Sequence, residues 1–323
     1  MKRFLVTGGT GFIGSALVKK LVSAGHWVRV LDDNSRGRTR RLAEVADKIE
    51  MVEGDIRNAQ DVMQASEGID SVLHLAFING TEFFYTKPEL VLDVGVKGMV
   101  NVLDACVHHG IKELVLASSS EVYQQPPRVP TDESVPLLIP DPLNPRYSYA
   151  AGKMISEIMA INYGRRFFDR VLIFRPHNVF GPDMGWEHVV PQFAIRMARL
   201  SKTGQGPMAF PIQGSGQEMR SFIFIDDFAD GFMTMLEKGD HLNIYHIGTE
   251  EEITVRELAQ KVARVMNREI EIQAGPLKEG GTSRRCPDIG KLRALGFKPR
   301  LTLDKSLPLA VNWYADHLAE APK

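Results

Sequence analysis

Short apolar runs alternate with longer stretches of mixed polarity along the first half of the chain. Phe4 to Val6, Val28 to Leu31, Ile49 to Val52, Val72 to Leu75, Leu114 to Ala117 and Val171 to Phe174 each read as a strand buried on both faces, because the runs are continuous. Between them the spacing predicts helices near residues 12–24, 58–66, 89–109 and 146–167. Such alternation predicts an α/β fold, a parallel sheet covered on both faces. After about residue 176 the texture changes. Gly, Pro and short runs dominate from Pro176 to Gly216. Thr254-Val-Arg-Glu257 then has the form of a capping box and predicts a helix to about Asn267, and a last amphipathic stretch follows from Asp304. The expected division is a larger domain over residues 1–176 and a smaller C-terminal α/β lobe over 177–323.

Bulk properties narrow the picture. The chain has 323 residues, 44% hydrophobic and 24% charged, with a net charge of −1. Nothing in that balance points to nucleic acid or an anionic membrane, and no apolar run approaches the length of a membrane span. Arg36, Arg38, Arg40 and Arg41 form the one basic cluster, ordinarily a solvated face. Two distant cysteines, Cys106 and Cys286, make neither a disulfide framework nor a zinc site, so no metal is expected and a reducing cytoplasm fits. The chain opens directly on a strand-like run with no secretory pattern before it.

Candidate chemistry begins at Thr7-Gly8-Gly9-Thr10-Gly11-Phe12-Ile13-Gly14, between the first strand and the first helix. Gly8, Gly11 and Gly14 have the spacing of a dinucleotide-binding turn. There a glycine makes the bend, another lets a pyrophosphate reach the backbone, and the last lets helix and strand close together. The helix start then offers free N–H groups to phosphate. A glycine triplet alone is a weak signal, but Asp32 ends the next strand, where it can accept from ribose hydroxyls and repel a 2′-phosphate. The fold is therefore expected to be doubly wound, of Rossmann type, with NAD rather than NADP as cofactor. Arg36 and Arg38 nearby argue the other way. Asp55, followed by Ile56, sits after the third strand where adenine would lie, although a turn-forming Asp reads equally well.

A second constellation is Tyr149-Ala-Ala-Gly-Lys153 in a predicted helix. A spacing of four puts phenol and ammonium on one face, where the positive charge favours phenolate and makes the tyrosine a base. The pair alone is a common coincidence. Ser118-Ser119-Ser120-Glu121 follows a strand of the same sheet, where a hydroxyl could hold a substrate oxygen, or where serines simply make a turn.

Together these features resemble the extended short-chain dehydrogenase/reductase family, in its nucleotide-sugar epimerase and dehydratase branch. The matching stretches are Thr7 to Gly14, Asp32, Asp55, His74-Leu75-Ala76, Ser119 to Tyr123, Tyr149 with Lys153, Arg175 to Pro182, and Arg220 to Asp227. The resemblance implies that Tyr149 is the base, that Lys153 lowers its pKa and holds the nicotinamide ribose, and that Ser119 bonds the reacting oxygen. It implies NAD contacts at Gly8, Gly11, Phe12, Ile13, Gly14, Asp32, Asp55, Ile56, Leu75 and Ala76. It places the nucleotide-diphosphate sugar against Ser120, Asn178, Val190, Arg220 and Arg285, the last two clamping the diphosphate, with Val190-Pro191-Gln192-Phe193 lining the cleft. It implies a homodimer through the helical segments 89–109 and 146–167. Two departures stand near the expected nicotinamide: Gly95 where relatives often carry Asn, and Phe77 where they carry a small residue.

The reaction implied begins with oxidation at C4 of the sugar. Glu121 then decides the fate of the 4-keto sugar. A 4,6-dehydratase typically has Asp-Glu where this chain has Ser120-Glu121, so dehydration lacks its expected acid. Ser-Glu is similar to nucleotide-sugar glucuronate decarboxylases. The stretches Arg175–Pro182 and Val190–Phe193 look epimerase-like. The expectation is an NAD-dependent 4-epimerase working through a transient 4-keto sugar, with decarboxylation or dehydration as the alternative and a non-catalytic NAD-binding protein as the remote one. His177 reads as structural, and Trp186-Glu187-His188 has no account in the sequence.

Overall fold

The computed structural model describes residues 1–200, 207–276 and 282–322. Seven parallel strands form the main sheet: β1 (Arg3–Thr7), β2 (Trp27–Asp32), β3 (Ile49–Glu53), β4 (Ser71–His74), β5 (Glu113–Ala117), β6 (Arg170–Pro176) and β7 (Asn243–Ile247). Their order across the sheet is β7-β6-β5-β4-β1-β2-β3. Chain direction across the sheet therefore reverses at β1, which pairs with β2 on one side (Val6 beside Val30) and β4 on the other (Val6 beside Leu73). The doubly wound α/β fold is thus as the apolar pattern predicted. All six predicted strands are present, each within two residues of its expected ends.

The main helices are α1 (Phe12–Ser23), α2 (Ala59–Ala65), α3 (Gly98–His109), α4 (Ser148–Phe167), α5 (Val189–Leu200), α6 (Ile225–Lys238), α7 (Val255–Val265) and α8 (Leu303–Asp316). Alternate residues of each strand serve opposite faces. Leu5, Val72 and Leu114 meet α2, α3 and α4, while Phe4, Val6 and Val115 meet α1 and α6. The second of these cores continues without a break into α5, α7 and α8, so the C-terminal lobe shares the apolar interior of the sheet. β7 also comes from beyond residue 176, and it returns to pair with β6. The Thr254 capping box is formed, with the Thr254 hydroxyl accepting from the Glu257 amide at 3.1 Å and Glu257 accepting from the Thr254 amide at 2.9 Å. Among the described residues no helix is long and apolar enough to cross a membrane.

One helix is interrupted. Pro88–Leu92 runs into a π-helical turn over Asp93–Lys97 before α3 begins. Wide turns of this type tend to mark functional sites, and this one carries Gly95.

Candidate active site

Sheets of this type bind ligands beyond the carboxyl ends of the strands, where the order reverses. A cavity of about 600 Å³ opens there, lined by the glycine turn, by Asp32 and Asp55, by Leu75 to Gly80, by Ser118 to Glu121, and by Tyr149, Lys153, Asn178 and Arg285. Residues as far apart as Gly8 and Arg285 therefore share one chamber.

Its floor is the glycine turn. A Cβ at Gly14 would lie 2.1 Å from the Gly8 carbonyl oxygen, so α1 can start this close to β1 only with glycine there. At Gly11 a Cβ would meet only that carbonyl, so a side chain would extend into the cavity that Gly11 lines. The open turn, the start of α1 and the buried Asp32 carboxylate fit the phosphates and ribose of a dinucleotide. Asp32 accepts from the amides of Thr10 and Asn34, both at 2.9 Å, which fixes its orientation at the rim. Asp55 is held by Arg57, with Nη2 to Oδ2 at 2.6 Å, and that guanidinium keeps its carboxyl below the usual range. Thr7 orders the far wall. Its hydroxyl oxygen accepts from the amides of Leu75 and Ala76 and lies 2.8 Å from His74 Nδ1. His74 is fully buried, which lowers its pKa to about 3 and keeps it neutral.

The reacting groups sit opposite. Tyr149 and Lys153 lie one turn apart on α4. Burial raises the Tyr149 phenol, opposed by a hydrogen bond from Ser119. Burial lowers Lys153 to about 7, opposed by the charge of Glu157 one turn on. The Lys153 ammonium donates to the Ala117 carbonyl at 2.7 Å and stands 4.0 Å from the centre of the Phe77 ring. Phe77 also meets the Tyr149 ring edge-on at 5.2 Å.

The two departures noted in the sequence prove to be one feature. A Cβ at Gly95 would come within 2.2 Å of Phe77 Cζ, and one at Gly152 within 2.9 Å. The Phe77 ring fills a socket made by two glycines, so a large residue at 77 requires the loss of a side chain at 95.

Glu121 faces the cavity and is paired. Arg285 Nη1 donates to its Oε1 at 2.6 Å, and Arg146 lies 4.0 Å from its Oε2. Burial alone would raise the Glu121 pKa, but the charges of Arg285, Arg146 and Arg220 outweigh it and hold the group ionised. Arg285 stands beside Arg220 in a small parallel strand pair. Arg220 does not line the cavity. Its guanidinium donates to the Met219, Thr282 and Ser283 carbonyls behind Arg285, and burial plus its arginine neighbour lower it to about 10. Asn178 Nδ2 donates to the Ser221 carbonyl at 2.8 Å at the cavity wall. Val190 lies in the apolar core, away from the cavity.

Behind these groups is a network that the sequence did not announce. Arg175 and Glu157 are each 2% exposed and form a two-point ion pair, at 2.8 and 2.6 Å. Ser118 donates to Glu157, and Arg175 donates to the Tyr123 hydroxyl. That hydroxyl lies 2.6 Å from His246 Nε2, whose Nδ1 reaches the Asp288 carbonyl at 3.0 Å. His177 meets His246 edge-on at 4.6 Å and is buried, with neither ring nitrogen hydrogen-bonded among the described residues. The order of charges along α4 could have suggested Glu157, but its partner on β6 has no local signal.

A glycine turn against an acid-ended second strand, with Tyr and Lys facing it across one cavity, defines a dinucleotide-dependent enzyme site on a Rossmann sheet. Residues 4–248 match the model of the NAD dependent epimerase/dehydratase family, and the chain belongs to that family. It is 32% identical to the UDP-glucose 4-epimerase of Mycolicibacterium smegmatis, over 97% of this chain and 98% of that one. It is 30% identical to UDP-glucuronic acid decarboxylase 1 of Arabidopsis thaliana, over 98% and 70%. Among solved structures it is similar to the NAD complex of a Thermus thermophilus UDP-glucose 4-epimerase (TM-score 0.84, 28% identity, 97% and 98% covered). A Streptomyces venezuelae dTDP-glucose 4,6-dehydratase is as similar, with TM-score 0.86, 30% identity, and 99% and 98% covered.

Proposed function

We propose that this protein is an NAD-dependent nucleotide-diphosphate-sugar 4-epimerase working through a transient 4-keto sugar. NAD⁺, when bound, supplies the hydride acceptor for C4. Tyr149 takes the proton of the C4 hydroxyl, Ser119 hydrogen-bonds the same oxygen, and the Lys153 charge favours the phenolate. Asn178 and Arg285 hold the sugar diphosphate, with Arg220 adding positive charge from behind. The carrying observation is that Ser119, Tyr149 and Lys153 share one cavity face with Ser120, which has no carboxyl, and with Glu121, which Arg285 holds ionised at 2.6 Å. No acid for expelling a hydroxyl stands there, whereas epimerisation needs only the Ser, Tyr and Lys and room for the ketose to turn over. We further propose a homodimer, since α3 and α4 expose Val107, Ile155 and Ile158, a face that a second copy would cover.

A second reading is decarboxylation of a nucleotide-linked glucuronate. Three arginines surround the single carboxylate of Glu121, and the surplus positive charge suits a substrate that brings its own carboxylate.

The test is incubation of the purified enzyme with UDP-, GDP-, CDP- and dTDP-linked hexoses and glucuronates, with product NMR. A C4-inverted sugar is expected. Release of CO₂ and formation of a pentose would establish the second reading instead. Tyr149→Phe is expected to lower turnover by about 10²–10⁴-fold, and unchanged turnover would overturn the mechanism.

A further inference from the structure

The segment Asp183 to His188 follows β6 and crosses to the loop after β2. Asp183 accepts from Arg41, with Nε to Oδ2 at 3.1 Å and Nη2 to the backbone carbonyl at 2.6 Å, and also from Arg40 at 3.3 Å. Glu187 accepts from Arg36 at 3.2 Å. Tyr314 anchors the segment from the other side. The Tyr314 hydroxyl donates to the Gly185 carbonyl and accepts from the Met184 amide, both at 2.8 Å, and Trp186 packs edge-on against the Tyr314 ring at 5.3 Å.

The arginines so engaged are those beside Asp32. Arg36 and Arg41 line the same cavity as Asp32 and Asp33. Arg41 Nη1 donates to the carbonyl of Thr10, whose amide binds Asp32. A Cβ on Gly37, next to Arg36, would lie 3.2 Å from Asp32 Oδ1. This is the rim where a 2′-phosphate on the adenosine ribose would arrive. Free arginines there would bind it, since a guanidinium matches phosphate oxygens in both charge and shape.

We propose that Asp183 and Glu187 set the choice of cofactor by occupying Arg41 and Arg36, so that the two arginines of the loop after β2 that line the cavity are not free to bind a 2′-phosphate; Arg38, in the same loop, does not line it. Asp32 repels that phosphate directly, and the two acids remove the countercharge that would offset the repulsion. Glu187 also lines the cavity, so its own negative charge adds to that of Asp32. The inference rests on the NAD⁺ of the proposed function lying with its adenosine ribose at Asp32.

The experiment measures the dissociation constants of NAD⁺ and NADP⁺ by isothermal titration calorimetry on the whole protein. Wild type is compared with Glu187→Gln and with Glu187→Gln/Asp183→Asn. Asparagine tolerates the left-handed backbone at 183, where φ is +54°. The preference for NAD⁺ over NADP⁺ is expected to fall about ten-fold in the double variant, and by less in the single one. Adding Arg36→Met to the double variant should restore part of it. A ratio unchanged within two-fold in both variants would overturn the proposal. If the double variant does not fold, the exposed Glu187→Gln alone decides, because Glu187 makes no core contact. Wild type that binds neither nucleotide would instead overturn the placement of the cofactor.

Discussion

Two arginine–glutamate pairs stand within the same end of the sheet, and they are built to opposite ends. Arg175–Glu157 is closed off: two hydrogen bonds join the partners, Ser118 donates to Glu157, Arg175 donates to Tyr123, and each side chain of the pair is only 2% exposed. Arg285–Glu121 is joined by one short bond, opens on the cavity and has a second arginine standing off at 4.0 Å. The first is a closed circuit that holds β6 to α4 and so fixes the helix carrying Tyr149 and Lys153. The second is an open one, with positive charge to spare for a ligand. The same two side chains thus serve as scaffold or as receptor, according to whether their other hydrogen bonds are already satisfied.

Breaking each pair separates the roles. Arg175→Met strands a buried carboxylate and is expected to cost about 3–5 kcal/mol in urea unfolding. Arg285→Met leaves Glu121 partly hydrated and near Arg146, and is expected to cost about 1 kcal/mol or less. Equal losses would erase the distinction. The closed network also fixes a pH response of intermediate size. His246, buried against Tyr123, has its pKa lowered to about 3, chiefly by burial and then by Arg175. The unfolded chain takes up that proton near pH 6.5 and the folded one does not, so stability present above 6.5 is lost as pH falls toward 3. Between pH 7 and 5 this amounts to about 2 kcal/mol for one such histidine. NMR of the His246 ring should show it neutral at pH 5, and titration near 6.5 would refute the assignment. The smallest effect belongs to the open pair. Glu121 is held below its unfolded value, so its contribution is present above about pH 4.5 and lost as pH falls through the lower folded pKa. Removing Arg285 lets burial prevail, and carboxylate-labelled NMR of Arg285→Met should find the Glu121 pKa higher by about one pH unit. No movement would mean that Arg146 and Arg220 hold the charge by themselves.

Much of this was legible in the sequence because its signals are local. Gly8 to Gly14, Asp32, and Tyr149 with Lys153 declare themselves within a few residues, and continuous apolar runs located six strands. Pairings between distant segments left no such mark. Phe77 and Gly95 each looked like a separate anomaly, and only the structure, where a Cβ on Gly95 would fall 2.2 Å from the Phe77 ring, makes them one fitted socket. Trp186-Glu187-His188 had no meaning until Arg36 and Tyr314 were seen to hold the segment. Arg220 read as a direct diphosphate clamp, yet carbonyls behind Arg285 hold its guanidinium. β7 has no such local sign because Asn243-Ile-Tyr-His-Ile247 is broken by polar residues, and its neighbour β6 lies some seventy positions earlier.

That late seventh strand matters to the chain as it is being made. Until residue 247 has been synthesised, β6 stays an unprotected margin of a growing sheet, with main-chain donors and acceptors open to any other extended segment. The hazard is greatest in a parallel topology, whose contacts are distant and slow to form. Once made, β7 covers β6 and becomes the margin in its place, so the open edge passes from a strand of seven residues to one of five.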